Sequence, residues 1–350
     1  MAPERERTSR ELRLAPFPAE DGAPYLRLLH RALAERDVTV LDLGSVREAT
    51  GPAHVDVVHL HWLEYLVQGG RLRSLLRGLR LASALRRLAR SSTRLVWTAH
   101  NLRPHERRNP FVEDLVTRSA LRHADTVIAH SDYAARRMAE TYGVERPVEV
   151  VPHGNFVGFY PQPSRSREEM RRELGIPPDS FTYLVFGQVR AYKRIPEAIA
   201  AFGAVGDPDA RLVVAGAVSD AALATEVEVA AAADSRVILR LEHVPDEDVA
   251  DLHQAADACV LPYRQVFSSG ALLLALSLGL PAVTPWEGSA EIAGPPAIEP
   301  FEEGRLADAL RAIRRGDQAE RRRAARAAAA RFDWDGVADR TVELYERPAA

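Results

Sequence analysis

TYLVFGQVRAYKRIPEAIAAF, residues 182–202, decides the fold. Its apolar opening ends at Phe186, Gly187 permits a tight turn, and a helix is expected from near Pro196. A buried strand, a glycine turn and an amphipathic helix in succession make the first part of a βαβ unit. Arg190 and Lys193 lie between the strand and the helix. Cations beside a helix N-terminus suit a diphosphate, because the backbone N–H groups and the side-chain charges attract the same anion. The plainer alternative is a solvated basic loop. The coincidence of glycine, cations and helix start favours the anion site.

The pattern repeats on both sides. Upstream, the strand-like runs are VDVVHLHW (55–62), RLVWTAHN (94–101), ADTVIAHS (124–131) and VEVVPHGN (148–155), with helices expected at 71–90, 111–122 and 132–142. Downstream are RLVVAGAV (211–218), RVILRLEHV (236–244), ACVLPY (258–263) and LPAVTPW (280–286), again separated by helical segments. Strands covered on both faces read as Val/Ile-rich runs rather than clean alternation. The expected fold class is therefore α/β, with two doubly wound parallel-sheet domains of Rossmann-like type facing across a cleft. A length of 350 residues agrees with two cores rather than one. The expected division is 1–160, 161–331 after a polar, proline-bearing linker, and a last helix over 332–350 that crosses back to the first domain.

Composition excludes several classes. A net charge of −3 gives no global case for nucleic acid. Cys259 is the only cysteine, so neither an internal disulfide nor a cysteine zinc site is available. The charged N-terminus lacks the apolar core of a signal peptide, and no apolar run is long enough to span a bilayer. These features set the expectation of a cytoplasmic protein.

A second motif is PYRQVFSSGALLLALSLGLPAV, residues 262–283. Ser268, Ser269 and Gly270 precede an almost wholly apolar helix, where they serve as an N-cap or bring backbone N–H groups to a phosphate. Together with residues 186–202 and HVPDEDVADLHQAADACVLPY (243–263), this motif resembles the donor-binding half of GT-B glycosyltransferases. Residues 124–144 and 148–155 are similar to the later N-domain elements and crossover of that fold, so the resemblance covers roughly 20–346.

The resemblance implies a nucleoside diphosphate sugar, GDP- or UDP-linked, as substrate, with no separate cofactor and no metal. It puts Arg190, Lys193, Ser268, Ser269 and Gly270 on the donor diphosphate. Gly187, Glu242, His243, Val244, Tyr263 and His153 would line the nucleotide or sugar. The implied reaction moves a mannose- or glucose-type hexosyl group to a glycan, glycolipid or other hydroxyl. The large retaining group of this fold carries two glutamates ahead of a Gly-x-Pro; counting back from Gly279, those places hold Leu274 and Val266. Inversion is therefore expected, as in β-mannosyl-type exopolysaccharide enzymes. The rival readings are a nucleotide-sugar epimerase on the same scaffold and a degenerate, non-catalytic partner subunit.

Inversion needs a general base near the acceptor hydroxyl. The loop WTAHNLRPHERRNP, residues 97–110, supplies candidates: Glu106 as base, with His100 as the rival base or a sugar contact. Pairing of Glu106 with a neighbouring arginine is the competing reading. His61, Trp62, Glu64 and Asn101 are expected on the acceptor side. His59 and His61 share a strand face by period 2, and with His100 they raise a zinc reading that donor contacts or packing explain better. From Arg71 to Arg90 the chain is basic and has no acidic residue, with Leu72, Leu75, Leu76 and Leu79 at helical spacing. This is either a peripheral contact with an anionic membrane at its inner face, suited to a lipid-linked acceptor, or a domain helix packing its leucines inward.

Overall fold

The computed structural model describes residues 11–19, 23–51, 54–104, 108–144, 146–264, 267 and 269–347. They form two compact units, Met1–Gly154 with Trp334–Ala350, and Asn155–Asp333.

The first unit is built on strands β1 (Leu12–Phe17), β2 (Val38–Val40), β3 (Val57–Leu60), β4 (Arg94–Thr98), β5 (Thr126–Ala129) and β6 (Glu149–Val150). Its helices are α1 (Pro24–Ala34), α2 (Leu63–Leu66), α3 (Arg71–Leu88), α4 (Pro110–His123) and α5 (Asp132–Tyr142). The sheet order is β2-β1-β3-β4-β5-β6, with every pairing parallel. β3 and β5 are buried along their whole length, which explains their continuous apolar character.

β1 is not evident from the sequence, because LRLAPF carries Arg13 and Pro16 and follows a charged N-terminus. It nevertheless lies inside the sheet. Its ladder to β2 covers only Leu12, Arg13 and Leu14, whereas that to β3 runs from Leu14 to Phe17. Pro16 thus sits beyond the short β2, where a missing N–H breaks no ladder on that side.

The second unit contains β7 (Phe181–Phe186), β8 (Ala210–Ala215), β9 (Val237–Arg240), β10 (Ala258–Val260), β11 (Ala282–Pro285) and β12 (Ile298–Phe301). They form a second parallel sheet in the order β12-β11-β10-β7-β8-β9. Its helices are α6 (Arg167–Glu173), α7 (Ile195–Gly203), α8 (Ala221–Ala232), α9 (Asp246–Ala255), α10 (Gly270–Ser277), α11 (Leu306–Ile313) and α12 (Gln318–Ala330). The polar linker enters α6 through a capping box in which Ser166 and Glu169 satisfy each other's backbone N–H groups. The Ala/Arg-rich run 304–331 is two helices. Gly316 breaks it with φ +87°, and Asp317 caps α12 by accepting from Ala319 and Glu320 N–H.

The division between units falls at Gly154/Asn155, a few residues earlier than position 160. The reason is local: Asn155 N–H donates to Phe332 O at 2.8 Å, its Nδ2 to Ala329 O at 3.0 Å, and Phe156 N–H to Ser277 Oγ at 2.9 Å. The last helix, α13 (Trp334–Glu346), belongs to the first unit. Val337, Ala338, Val342, Leu344 and Tyr345 join the core of β1, α1, β3 and β4. Arg36, just past α1, holds Asp335 and Asp339 at 3.1 and 2.7 Å.

Trp334 opens α13 directly over Gly154, where an added Cβ would stand 2.3 Å from the indole. Gly154→Ala should therefore act as overpacking, costing about 1–3 kcal/mol. Thermal melting of the purified variant should show a Tm lower by several degrees; an unchanged Tm would mean that the indole moves aside without cost.

Candidate functional site

In an open α/β sheet, ligands bind beyond the carboxyl ends of the strands, where the strand order reverses. In the second unit that point lies between β7 and β10. The loop after β7 begins at Gly187, whose φ is +92°. It packs on the loop after β8 so closely that a Cβ on Gly216 would stand 2.3 Å from Gly187 O. Val189 N–H also donates to Ala217 O at 2.8 Å. This contact fixes the segment that carries Arg190 and Lys193. Arg190 Nη1 donates to Ser219 Oγ at 3.2 Å and its Nη2 to Gln188 Oε1 at 3.1 Å.

Lys193 is 7% exposed, unusually low for a lysine. Its Nζ lies 3.3 Å from where a Cβ on Gly187 would stand. Burial pulls its ammonium down to about 8; the Cys259 thiol favours its charge and Arg190 opposes it. Among the described residues no carboxylate pairs with it. A buried cation without an anion is costly, and a bound anion offsets that cost.

Across the switch point, Tyr263 follows β10 and is buried against Tyr192 with ring centroids 5.9 Å apart. Ser269 caps α10, its Oγ accepting from Leu272 N–H at 3.0 Å. The Gly270 and Ala271 N–H groups of that first turn have no acceptor within the helix. The structure therefore brings Gly187, Arg190, Lys193, Tyr263, Ser269 and Gly270 to one edge of the sheet. Glu242, His243 and Val244 follow β9 on the same edge, with Glu242 and His243 exposed and Arg240 beside Glu242 at 3.3 Å. Ser268 and Val266 lie outside the described residues, and Leu274 is buried within α10.

The first unit concentrates its chemistry in a different way. β3, β4, β5 and β6 each deliver a histidine at or just beyond the carboxyl end: His61, His100, His130 and His153. His61 Nδ1 lies 3.1 Å from His100 Nε2, and His100 Nδ1 lies 3.2 Å from His130 Nε2. His130 Nδ1 is 2.9 Å from Val151 O. His153 Nδ1 donates to Gly154 O at 2.7 Å. His59 packs against His61 with ring centroids 4.2 Å apart, but its own nitrogens are taken by Tyr345 OH at 2.6 Å and Thr98 Oγ1 at 2.7 Å.

Tyr25 from α1 meets His61, His100, His130 and His153 through its ring, and Trp62 stacks on His100 at 4.1 Å and 17°. A cavity of about 20 Å³ beside this row is lined by residues including His61, Trp62, Glu64, His100 and Asn101. Asn101 Nδ2 donates to Glu64 Oε1 at 3.4 Å, and burial raises the pKa of Glu64. Glu106 and His105 lie outside the described residues. His61 Nδ1 and the nitrogens of His100 and His130 turn towards one another or towards oxygen, and no metal-holding group of three ligands occurs among the described residues.

The candidate site residues read from the sequence do not include His130, Tyr25 or Tyr345. The sequence does carry a signal for His130: HLHW, TAHN, IAHS and VPHG each end an apolar run in a histidine. Tyr25 and Tyr345 reach the row only through tertiary packing.

Comparisons with known proteins give the family and the fold. Residues 22–154 match Glycosyltransferase Family 4 and residues 180–315 match Glycosyl transferases group 1. A GDP-mannose:glycolipid 4-beta-D-mannosyltransferase of Xanthomonas campestris pv. campestris is 33% identical over 273 residues, 77% of this chain and 72% of the relative. A D-inositol 3-phosphate glycosyltransferase of Thermomonospora curvata is 27% identical over 85% of this chain and 72% of its own. Among solved structures, Anabaena HepE with UDP and glucose superimposes with a TM-score of 0.72 at 18% identity, covering 95% of this chain and 99% of that one. Sucrose-phosphate synthase of Thermosynechococcus elongatus gives 0.69 at 18% identity over 96% and 98%. The fold is GT-B, and the two units are its two Rossmann-like halves. The chain belongs to the glycosyltransferases, enzymes that move a sugar from a nucleotide-sugar donor.

The buried histidines set an acid limit on stability. Burial lowers His59 to about 3 and His130 to about 4, and it holds His61 and His100 well below the usual range. Unfolded histidine titrates near ~6.5. Between that value and the folded ones, the unfolded chain binds more protons, so stability falls as pH drops through 6.5 towards 4. Melting curves should show Tm falling steeply from pH 6.5 to 5, and His59→Gln should flatten that slope. A flat profile would show that these rings are not buried neutral.

Proposed function

We propose that this enzyme transfers a mannosyl-type hexose from GDP-mannose to a hydroxyl of a glycolipid, with inversion at the anomeric carbon. The donor and acceptor classes follow the 33% identical Xanthomonas relative. Inversion follows from the donor helix, where Leu274 stands in place of a sugar-binding glutamate. The observation that carries the reading is Lys193, a buried ammonium at the switch point without an acidic partner among the described residues. Lys193, Arg190 and the first-turn N–H groups of α10 bind the diphosphate and stabilise the charge that develops as it leaves. Glu242, His243 and Val244 take the nucleobase side, and Tyr263 the nucleotide or sugar. Trp62, Glu64 and Asn101 receive the acceptor.

A peripheral membrane contact suits a lipid-linked acceptor. In α3 the inward face is Ser74, Gly78, Leu81, Leu85 and Leu88. Leu72, Leu76 and Leu79 instead stay exposed among Arg71, Arg73, Arg77 and Arg80, and Phe111 at the start of α4 is exposed as well. Apolar side chains within a basic helix face favour an anionic bilayer surface. The enzyme then works at the cytoplasmic leaflet. Co-sedimentation with phosphatidylglycerol vesicles at low salt should retain the wild type and lose Leu72→Glu/Leu76→Glu. Equal binding by both would remove this contact.

Calorimetry with GDP tests the donor site. Lys193→Met should weaken GDP binding by more than tenfold while the protein still melts cooperatively. In the wild type a bound diphosphate raises the Lys193 pKa above its free value of about 8. Affinity should therefore be full below pH 8 and decline above it, by at most about tenfold per pH unit. The variant should lack that decline. Tight pH-independent binding by Lys193→Met would overturn the diphosphate assignment. Product analysis by NMR should give the β-mannoside from GDP-α-mannose; an α-linked product would overturn inversion.

A further inference from the structure

The row of imidazoles has a direction. Val151 O accepts and cannot donate, so His130 Nδ1 carries the proton of that 2.9 Å bond. A neutral imidazole has one N–H, so His130 Nε2 is an acceptor and His100 Nδ1 must donate to it. His100 Nε2 is then an acceptor, and His61 Nδ1 must donate to it. The last nitrogen, His61 Nε2, is left as a bare lone pair. It is buried and has no hydrogen-bond partner among the described residues. One backbone carbonyl thus sets three tautomers and leaves a proton acceptor at the far end of the row.

We propose that His61 is the general base of the transfer, and that His100 and His130 form a proton relay behind it. This rests on the glycosyl-transfer reading above. His61 and His100 line the small cavity beside Glu64 and Asn101, whose size suits one water or one hydroxyl. In the reaction, the acceptor oxygen bonds to the anomeric carbon as the bond from that carbon to the diphosphate oxygen breaks, its electron pair leaving with the diphosphate. The hydroxyl proton passes to His61 Nε2. His61 then gives its Nδ1 proton to His100 Nε2, and His100 gives its Nδ1 proton to His130 Nε2. His130 becomes imidazolium while keeping its bond to Val151 O, and reversal after product release restores the tautomers. Three neutral rings suit this role. An oxonium formed on glycosylation is far more acidic than an imidazolium, so a base of reduced basicity still accepts its proton. The relay also moves the buried charge off a single ring. His100 and His130 each have both ring nitrogens engaged in the row, so they are relay and positioning residues rather than the first acceptor.

Long-range 1H–15N correlation spectra of the uniformly labelled wild-type protein at pH 7.5 read the tautomers directly. His61, His100 and His130 should all be protonated at Nδ1 and bare at Nε2; an Nε2–H tautomer at His61 would overturn the proposal. These spectra need no substrate, so they decide the relay independently of the donor assignment. Steady-state kinetics give the second arm. His61→Ala should lower kcat by about a hundredfold or more, the scale of a lost general base. Its KM for the donor should stay within twofold, and added imidazole should restore part of the rate. The wild-type rate should vary with solvent deuterium fraction as a curved function, the mark of several protons in motion, and His130→Gln should make it linear. A folded His61→Ala enzyme with wild-type kcat, or identical curvature in His130→Gln, would overturn the relay while leaving the glycosyltransferase reading intact.

Discussion

A parallel sheet covered on both faces confines polar chemistry to the row of its strand ends. Both units obey that constraint. β3, β5, β10 and β11 are buried along their whole length, and their ladders satisfy the backbone. Within these four strands the titratable side chains are His59 and Cys259, both kept neutral by burial, and charged side chains gather where the strands stop. Because every pairing is parallel, the carboxyl ends all fall on one edge, and residues far apart in sequence meet there. Gly187, Glu242 and Tyr263 share that edge in one unit; His61, His100, His130 and His153 share it in the other.

The same constraint explains what the sequence reveals. The two-domain α/β fold is legible because each buried strand is a Val/Ile-rich run followed by a helix with recognisable ends. Asp132–Tyr142 is a case in point: Ser131 caps it by accepting from Ala134 N–H, and Gly143 ends it with φ +65°. Arg190 and Lys193 are legible for a similar reason, as cations standing where a glycine turn meets a helix start. β1 is not legible, because Pro16 is allowed only by the shortness of β2, which is a property of pairing and not of local sequence. Nor does helical spacing identify which leucines of α3 face inward. Gly78, nestled against Val112 of α4, settles the rotation and leaves Leu72, Leu76 and Leu79 outside.

The histidine row marks a different limit. Each histidine stands in a readable motif, yet what the rings do depends on distances between strand ends that no motif encodes. His100 alone resembles a base or a sugar contact. With His61 and His130 bonded to its two nitrogens, it becomes the middle of a chain. The tautomers then follow from one carbonyl, an oxygen contributed by a residue with no chemistry of its own. Burial keeps the rings neutral, and neutrality is what makes the direction of the chain unique: a doubly protonated His130 would impose no acceptor on Nε2.

Among the buried polar groups that the fold does not complete, two lie at the strand-end edges that carry the proposed chemistry. Nearly every buried polar atom in a folded protein finds a partner, since an unmatched one costs roughly 1–3 kcal/mol. Lys193 is a desolvated cation without a carboxylate among the described residues, and His61 Nε2 is a desolvated lone pair without a donor among them. Their needs are opposite. The first is met by an anion, the second by a hydroxyl. Under the proposed function a nucleoside diphosphate supplies the one and a sugar-accepting alcohol the other, so these two unmatched groups correspond to the two substrates of glycosyl transfer. On that reading, stability given up at these two points is regained when both substrates are bound, which is where an enzyme of this class has use for it.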